Sequence, residues 1–329
     1  MNSECVRYNE KFIGLLEDLA EIMVKQGEPF RARAYQKAQE TIMAFPEDIT
    51  NPLQLKGKPG IGETIMEKFT EFVETGTLKV LEREKNNPVN ILAEIYGIGP
   101  KKAKELVDAG IQTIEQLRVN PDLYLNETQK IGLEFYEDIL KRIPRSEVED
   151  YEKVFQQAFN KAKREGEDKE ATFEIVGSYR RGQTTSGDID VILTCKNKKT
   201  FLQFINSLIE YKVITYVLSR GPTKCLVIAK LPNCETYRRV DFLFSSPEEY
   251  AFSILYFTGS KVFNTVMRQQ ALTMGLTMNE HGLYKMNGKK KGEKVEAVFK
   301  TEKDIFDYLQ MEYKTPVERK DGRAVIIKK

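Results

Sequence analysis

Two short apolar runs constrain this chain more than any other feature: DIDVILT at 188–194 and RRVDFLF at 238–244. In DIDVILT the acidic and apolar residues alternate with period two, the period of a strand that buries one face. On such a strand Asp188 and Asp190 project together, while Ile189 and Val191 turn to the core. Asp241, in the second run, can lie on an adjacent strand beside them. Three carboxylates on a rigid sheet repel one another unless divalent cations neutralise them. Such a cluster suits in-line phosphoryl transfer.

The rest of the chain sorts around this sheet. FEIVGS and KCLVIAKL are further β-rich runs, and TFLQFINSLIEYK between them reads as a helix. Before about Ala171 the pattern is helical. Phe12, Leu15, Leu16, Leu19 and Ile22 keep the helical period up to Gly27-Glu28-Pro29; Ala34, Ala38, Ile42 and Phe45 keep it up to Pro46. After Phe244 the chain is mixed. Boundaries near Asn87-Pro88, Pro144-Arg145 and Phe244-Ser245 give segments 1–87, 88–144, 145–244 and 245–329. The expected class is multidomain α+β: an all-α N-terminal part, a mixed-sheet middle and an α+β C-terminal part. The last lysines read as a solvated tail.

Two segments share a theme. Gly57-Lys58-Pro59-Gly60-Ile61-Gly62 precedes ETIMEKFTEFVETG, and Tyr96-Gly97-Ile98-Gly99-Pro100 precedes KKAKELVDAG. Each reads as a helix-hairpin-helix element, in which glycine lets amides at a helix N-terminus approach a DNA phosphate. Recognition of that kind reads backbone and not sequence. Lys56 and Lys58 flank the first hairpin, and Lys101, Lys102 and Lys104 the second.

Composition removes several chemistries. The single histidine, His281, leaves little room for a Ser-His-Asp triad, a Cys-His pair or a His-rich zinc site. The 49 acidic residues point to a carboxylate-held metal, magnesium or manganese. Cys5, Cys195, Cys225 and Cys234 form no CxxC pair and read as reduced thiols of an intracellular protein. No apolar run reaches about 18 residues, and MNSECVRYNEKF has no signal-peptide core. Neither a membrane span nor secretion is expected. Residues 1–84 carry 11 basic and 15 acidic side chains in a chain of net charge +2. Any nucleic-acid contact must therefore use local patches and backbone amides.

From about residue 10 to DIFDYLQMEYKTP, the motifs GSYRRG…SGDIDVILT, RRVDFLF and YFTGSKVFNTVMR resemble the X family of DNA polymerases, its beta-type members most closely. No BRCT domain is expected ahead of them. The resemblance implies a helical lyase-like domain, a second helix-hairpin-helix subdomain, a nucleotidyltransferase-type palm and a nucleotide-selection subdomain. It implies DNA-directed filling of short gaps in base excision repair, with dNTPs and two Mg2+ ions, Mn2+ being able to substitute.

By that resemblance Asp188 and Asp190 bind both metals, and Asp241 joins them at the catalytic one as general base. Arg145, Ser178 and Arg181 hold the triphosphate, with Ser186 and Gly187 nearby. Tyr256, Phe257 and Gly259 form a gate against a ribose 2′-hydroxyl. Lys261 and Asn264 lie at the incoming nucleotide, Arg268 and His281 at the template, and Lys224 and Arg239 contact DNA. Lys68 matches a Schiff-base lysine of 5′-deoxyribose-phosphate lyase chemistry, with Arg31, Tyr35 and Lys56 as its phosphate pocket. Gly60, Gly62, Gly97 and Gly99 bring the hairpins to DNA. Carbonyls of Lys56, Lys58 and Ile61, and of Ala93, Ile95 and Ile98, bind Na+ or K+.

Four positions depart from the beta-type pattern: Thr64 and Val80 replace lysines, Lys261 an aspartate, and Leu243 an arginine that switches partners on closure. The implied partners are gapped or nicked duplex DNA and dNTPs, bound by a monomer, nuclear in a eukaryotic cell and cytoplasmic otherwise. A template-independent nucleotidyltransferase would share the GS…DxD palm, but the hairpins, the Tyr-Phe gate and Asn264 speak against it. A catalytically inert DNA-bridging module would not need the intact acid triad.

Overall fold

Apolar residues at helical spacing build the first of two units, Met1–Tyr136, in a computed structural model that describes residues 6–328. The helix Asn9–Lys25 buries Phe12, Leu15, Leu16 and Leu19 and packs on Pro29–Met43. Ile22 is only partly buried, at the rim of this core. Phe69 of the helix Glu63–Thr75 stacks on Phe12 with ring centroids 4.1 Å apart. Leu55, Ile61 and Ile65 complete the cluster. A separate cluster gathers Leu92, Ile95, Ile98, Ala103, Leu106 and Leu133 around the helix Pro100–Asp108.

The second unit, Glu137–Lys329, is organised by a five-stranded sheet. Its order is Thr172–Ile175, Ile189–Thr194, Arg238–Ser245, Lys224–Ala229 and Ile214–Arg220. The two strands of the acidic motifs pair in parallel and all other neighbours are antiparallel, so the sheet is mixed. Helices Arg145–Glu165 and Lys198–Glu210 cover one face, which buries Ile189, Val191, Val240 and Phe242 among Phe155 and Phe204. On the other face Ile192 packs with Val176 and Ile254, and Leu243 lies partly buried against them. The strand Ile214–Arg220 is not disclosed by the sequence pattern. It is an edge strand with shifted register, and its alternation is correspondingly blurred.

Helices Tyr250–Thr258, Lys261–Thr273 and Glu302–Tyr308 then share a core with a three-stranded antiparallel sheet, through Phe252, Leu255, Phe263, Met267 and Phe306. The expected solvated tail is tied down at Lys328. Its ammonium pairs with Asp307 at 2.6 Å, and its amide donates to the Gln310 carbonyl. Lys329 lies outside the described residues. Cys195, Cys225 and Cys234 are free thiols; Cys5 also lies outside the described residues. Among the described residues no helix is long and apolar enough to cross a membrane.

Candidate active site

Parallel pairing sets Asp190 directly beside Asp241, with Ile189 beside Val240 and Val191 beside Phe242. Because side chains alternate, burying the apolar pairs forces both carboxylates onto the opposite face. Asp188 stands one residue before the strand Ile189–Thr194. Burial pushes the Asp190 carboxyl up to about 7, with the charges of Asp188 and Asp241 adding to it. Burial raises Asp241 too, against the pull of Arg239 and Lys224. Two adjacent acids that resist ionisation call for cations.

Arg239 supplies one of them. Its guanidinium donates to Asp188 and lies 3.6 Å from Oδ1 of Asp241, yet neither Arg239 Nε nor that Oδ1 has a hydrogen-bond partner. Among the described residues no three carboxylates are drawn tightly enough to hold an ion as they stand. The donor set nevertheless fits magnesium, since it consists of hard carboxylate oxygens, one of them buried and unpaired. Gly177 preserves the space above: its φ is +62°, and a Cβ there would meet Asp190 Oδ2 at 3.1 Å.

Gly177–Arg180 forms a single helical turn. Ser178 Oγ and Ser186 Oγ are 2.9 Å apart, and Gly187 follows directly. Arg145 crosses the Tyr179 ring at 4.2 Å and donates to the Tyr179 carbonyl at 2.8 Å. Arg181, its pKa lowered by burial, donates to the carbonyl of Thr258 at 2.5 Å. Thr258 ends the helix that carries Tyr256 and Phe257, and Gly259 caps it at φ +69°. Asn264 donates to the Tyr256 carbonyl at 2.7 Å, and Arg268 lies 4.9 Å from the Tyr256 ring. Lys261 opens the helix Lys261–Thr273. His281 lies in the turn after Leu276–Asn279, paired with Glu249 at 3.1 Å.

The comparisons with known proteins follow the same layout. Residues 7–78 match a helix-hairpin-helix domain, 90–140 the fingers domain of DNA polymerase lambda, 142–247 the DNA polymerase beta palm and 253–320 the DNA polymerase beta thumb. DNA polymerase lambda of Arabidopsis thaliana is 32% identical over 336 residues, covering 94% of this chain and 62% of that protein. DNA polymerase lambda of Rattus norvegicus is 31% identical, covering 97% of this chain and 57% of that protein. The chain belongs to the X family of DNA polymerases. The type-X family protein pol4 of Schizosaccharomyces pombe is 29% identical over 97% of the chain and 65% of its own length. The chain thus spans about three fifths of the length of these X-family relatives.

The two hairpins of this X-family chain are built alike. Gly60 and Gly97 take φ of +75° and +84°, and Gly62 and Gly99 are the N-caps of the helices that follow. The Ile61 amide donates to Lys58 O, and the Ile98 amide donates to Ile95 O, at 3.0 Å each. Lys56 caps the short turn Pro52–Leu55. Ala93 caps the helix Pro88–Leu92, and Lys102 lies in the helix Pro100–Asp108. Lys68 is half-buried on Glu63–Thr75, with no ion-pair partner among the described residues. Arg31, exposed, and Tyr35, half-buried, lie on Pro29–Met43. Thr64 is exposed on the same helix as Lys68, and Val80 packs partly against the core.

Sequence reasoning misses one cluster beside the candidate site. Glu302, 7% exposed, accepts from Arg180 at 2.9 Å and from the wholly buried Arg319 at 2.6 Å. Arg180 also donates to Thr258 Oγ1 at 2.8 Å, next to the carbonyl that Arg181 holds. Burial alone would raise the Glu302 pKa; the two guanidiniums outweigh it and hold the carboxyl below its ordinary range. Nothing local in the sequence marks these three residues as partners.

Proposed function

We propose that this chain is a DNA-directed DNA polymerase that fills short gaps during base excision repair. The observation carrying the proposal is the side-by-side placement of Asp190 and Asp241, with Asp188 at the head of the same strand. Two Mg2+ ions held by these carboxylates would acidify the primer 3′-hydroxyl and neutralise the departing pyrophosphate. Asp241 accepts the proton of that hydroxyl. Arg145, Ser178 and Arg181, with Ser186 and Gly187, orient the triphosphate. Tyr256, Phe257 and Gly259 exclude a ribose 2′-hydroxyl, Lys261 and Asn264 meet the incoming nucleotide, and Arg268 and His281 meet the template. Lys224 and Arg239 first hold the carboxylate cluster together and then approach the primer.

The four segments 1–87, 88–144, 145–244 and 245–329 serve as lyase-like domain, DNA-binding subdomain, palm and nucleotide-selection subdomain. The two hairpins grip duplex through Gly60, Gly62, Gly97, Gly99 and Lys102, with Na+ or K+ on the neighbouring carbonyls. Lys68 forms a Schiff base with a 5′-deoxyribose phosphate held by Arg31, Tyr35 and Lys56. The protein works as a monomer inside the cell, in the nucleus where there is one. Primer extension across a one-nucleotide gap tests the synthesis. Asp241→Ala abolishes extension and keeps gapped-DNA binding; an Asp241→Ala chain that still extends overturns the mechanism.

A further inference from the structure

We propose that the hairpin Gly282–Lys294 is a further clamp on duplex DNA, gripping phosphates through Lys285, Lys289, Lys290, Lys291 and Lys294. The choice of DNA as partner rests on the polymerase reading. Residues 282–294 hold five lysines and one glutamate, a net charge of +4 in a chain whose total is +2. The remainder of the protein is therefore acidic overall, and this one hairpin carries more than its whole positive excess.

The fold gathers these charges on one hairpin, Lys285 and Lys290 on the face of Asn287 and Lys291 and Lys294 on the face of Met286 and Tyr284. Strands Gly282–Asn287 and Lys290–Lys294 pair antiparallel, with Lys290 opposite Asn287 and Lys291 opposite Met286. A register shift between Lys291 and Lys294 twists the strand locally and re-aims its side chains. The Lys291 ammonium lies 3.5 Å from the centroid of the Tyr284 ring. Among the described residues none of the five ammonium groups has an ion-pair partner.

An edge strand uses lysine to avoid pairing with another chain, which accounts for one or two of these residues and not for five spread over both strands and the turn. A protein partner is disfavoured because lysine is depleted at protein interface cores. Phosphate backbone is the surface that lysine clusters suit.

The test is the affinity of the full chain for gapped duplex across a salt series. In Lys289→Gln/Lys290→Gln/Lys291→Gln, the slope of log K against log salt falls by roughly 2 to 3, about 0.9 per lost phosphate contact, and low-salt binding weakens on the order of tenfold. The extension rate at saturating DNA stays within about twofold of the parent. The triple Lys→Arg variant keeps the parent slope. Removing an equal charge elsewhere, by Lys196→Gln/Lys198→Gln/Lys199→Gln, leaves the slope in place. An unchanged slope in the hairpin variant, or an equal drop in the control, overturns the proposal. Binding is read without catalysis, so a chain that binds gapped DNA yet never extends a primer refutes the polymerase reading alone.

Discussion

Replacing Glu302 with glutamine removes the acid that bridges the wholly buried Arg319 and the partly buried Arg180, leaving Arg180 with Glu174 at 2.5 Å. Arg319 is wholly buried and pairs with Glu302, so water cannot take over its compensation, whereas Arg180 keeps Glu174. A glutamine can accept from one arginine through its oxygen, but its amide then faces the other. Breaking a buried pair by neutralising one partner costs about 3–5 kcal/mol, and that is the expected loss. Urea unfolding of the full chain, followed by circular dichroism, measures it on the transition of the second unit.

The pH dependence gives an independent reading. Because the folded Glu302 pKa lies below its ordinary value of 4.5, the stabilisation is complete above that value. It is lost as pH falls through the depressed folded pKa. The acid limb of the stability curve is therefore shallower in Glu302→Gln than in the parent. Asp307→Asn, which removes the exposed pairs to Lys303 and Lys328, serves as a mild control. A Glu302→Gln loss under about 1 kcal/mol, the range of exposed pairs, together with an unaltered acid limb, would refute the reasoning. Arg180 also holds Thr258, so the same variant is expected to incorporate ribonucleotides more readily.

Gly60→Ala places a Cβ 3.2 Å from the backbone of Lys37 and Ala38 at φ +75°. It should cost about 1–2 kcal/mol and weaken gapped-DNA binding by filter assay; a neutral result would mean the turn is not constrained. Lys68→Ala should remove the borohydride-trapped adduct with a 5′-deoxyribose phosphate; an undiminished adduct assigns the amine elsewhere. Leu243→Arg pushes a guanidinium against Val176, Ile192 and Ile254 with Lys224 opposite on the neighbouring strand. It should lower stability by about 1–3 kcal/mol and change the ratio of single-turnover rates for right and wrong nucleotides. An unchanged ratio would show that this position does not govern closure.

The acidic strands and the two hairpins were legible in the sequence because each rests on local spacing. Period two puts Asp188 and Asp190 on one face, and glycine marks the turns at Gly60 and Gly97. Asp241 was readable from its own apolar run, although only the sheet order shows that its strand adjoins Ile189–Thr194. Long-range pairings were not legible. Arg180 and Glu302 lie 122 positions apart, so no window of sequence joins them. Arg239 reads as a DNA contact, and the fold turns it toward Asp188 and Asp241, because the strand face that presents the acids presents it as well. The edge strand Ile214–Arg220 escaped because half-exposed strands with bulges lack a clean alternation.

Core and chemistry occupy alternate positions of the same two strands, Ile189 and Val191 with Asp190, Val240 and Phe242 with Asp241. A single-residue insertion or deletion inside either strand would therefore turn the core outward and the acids inward in one step. Drift in length is open to this protein only in the loops, and a lineage that kept its fold would find it hard to lose the carboxylates by slippage.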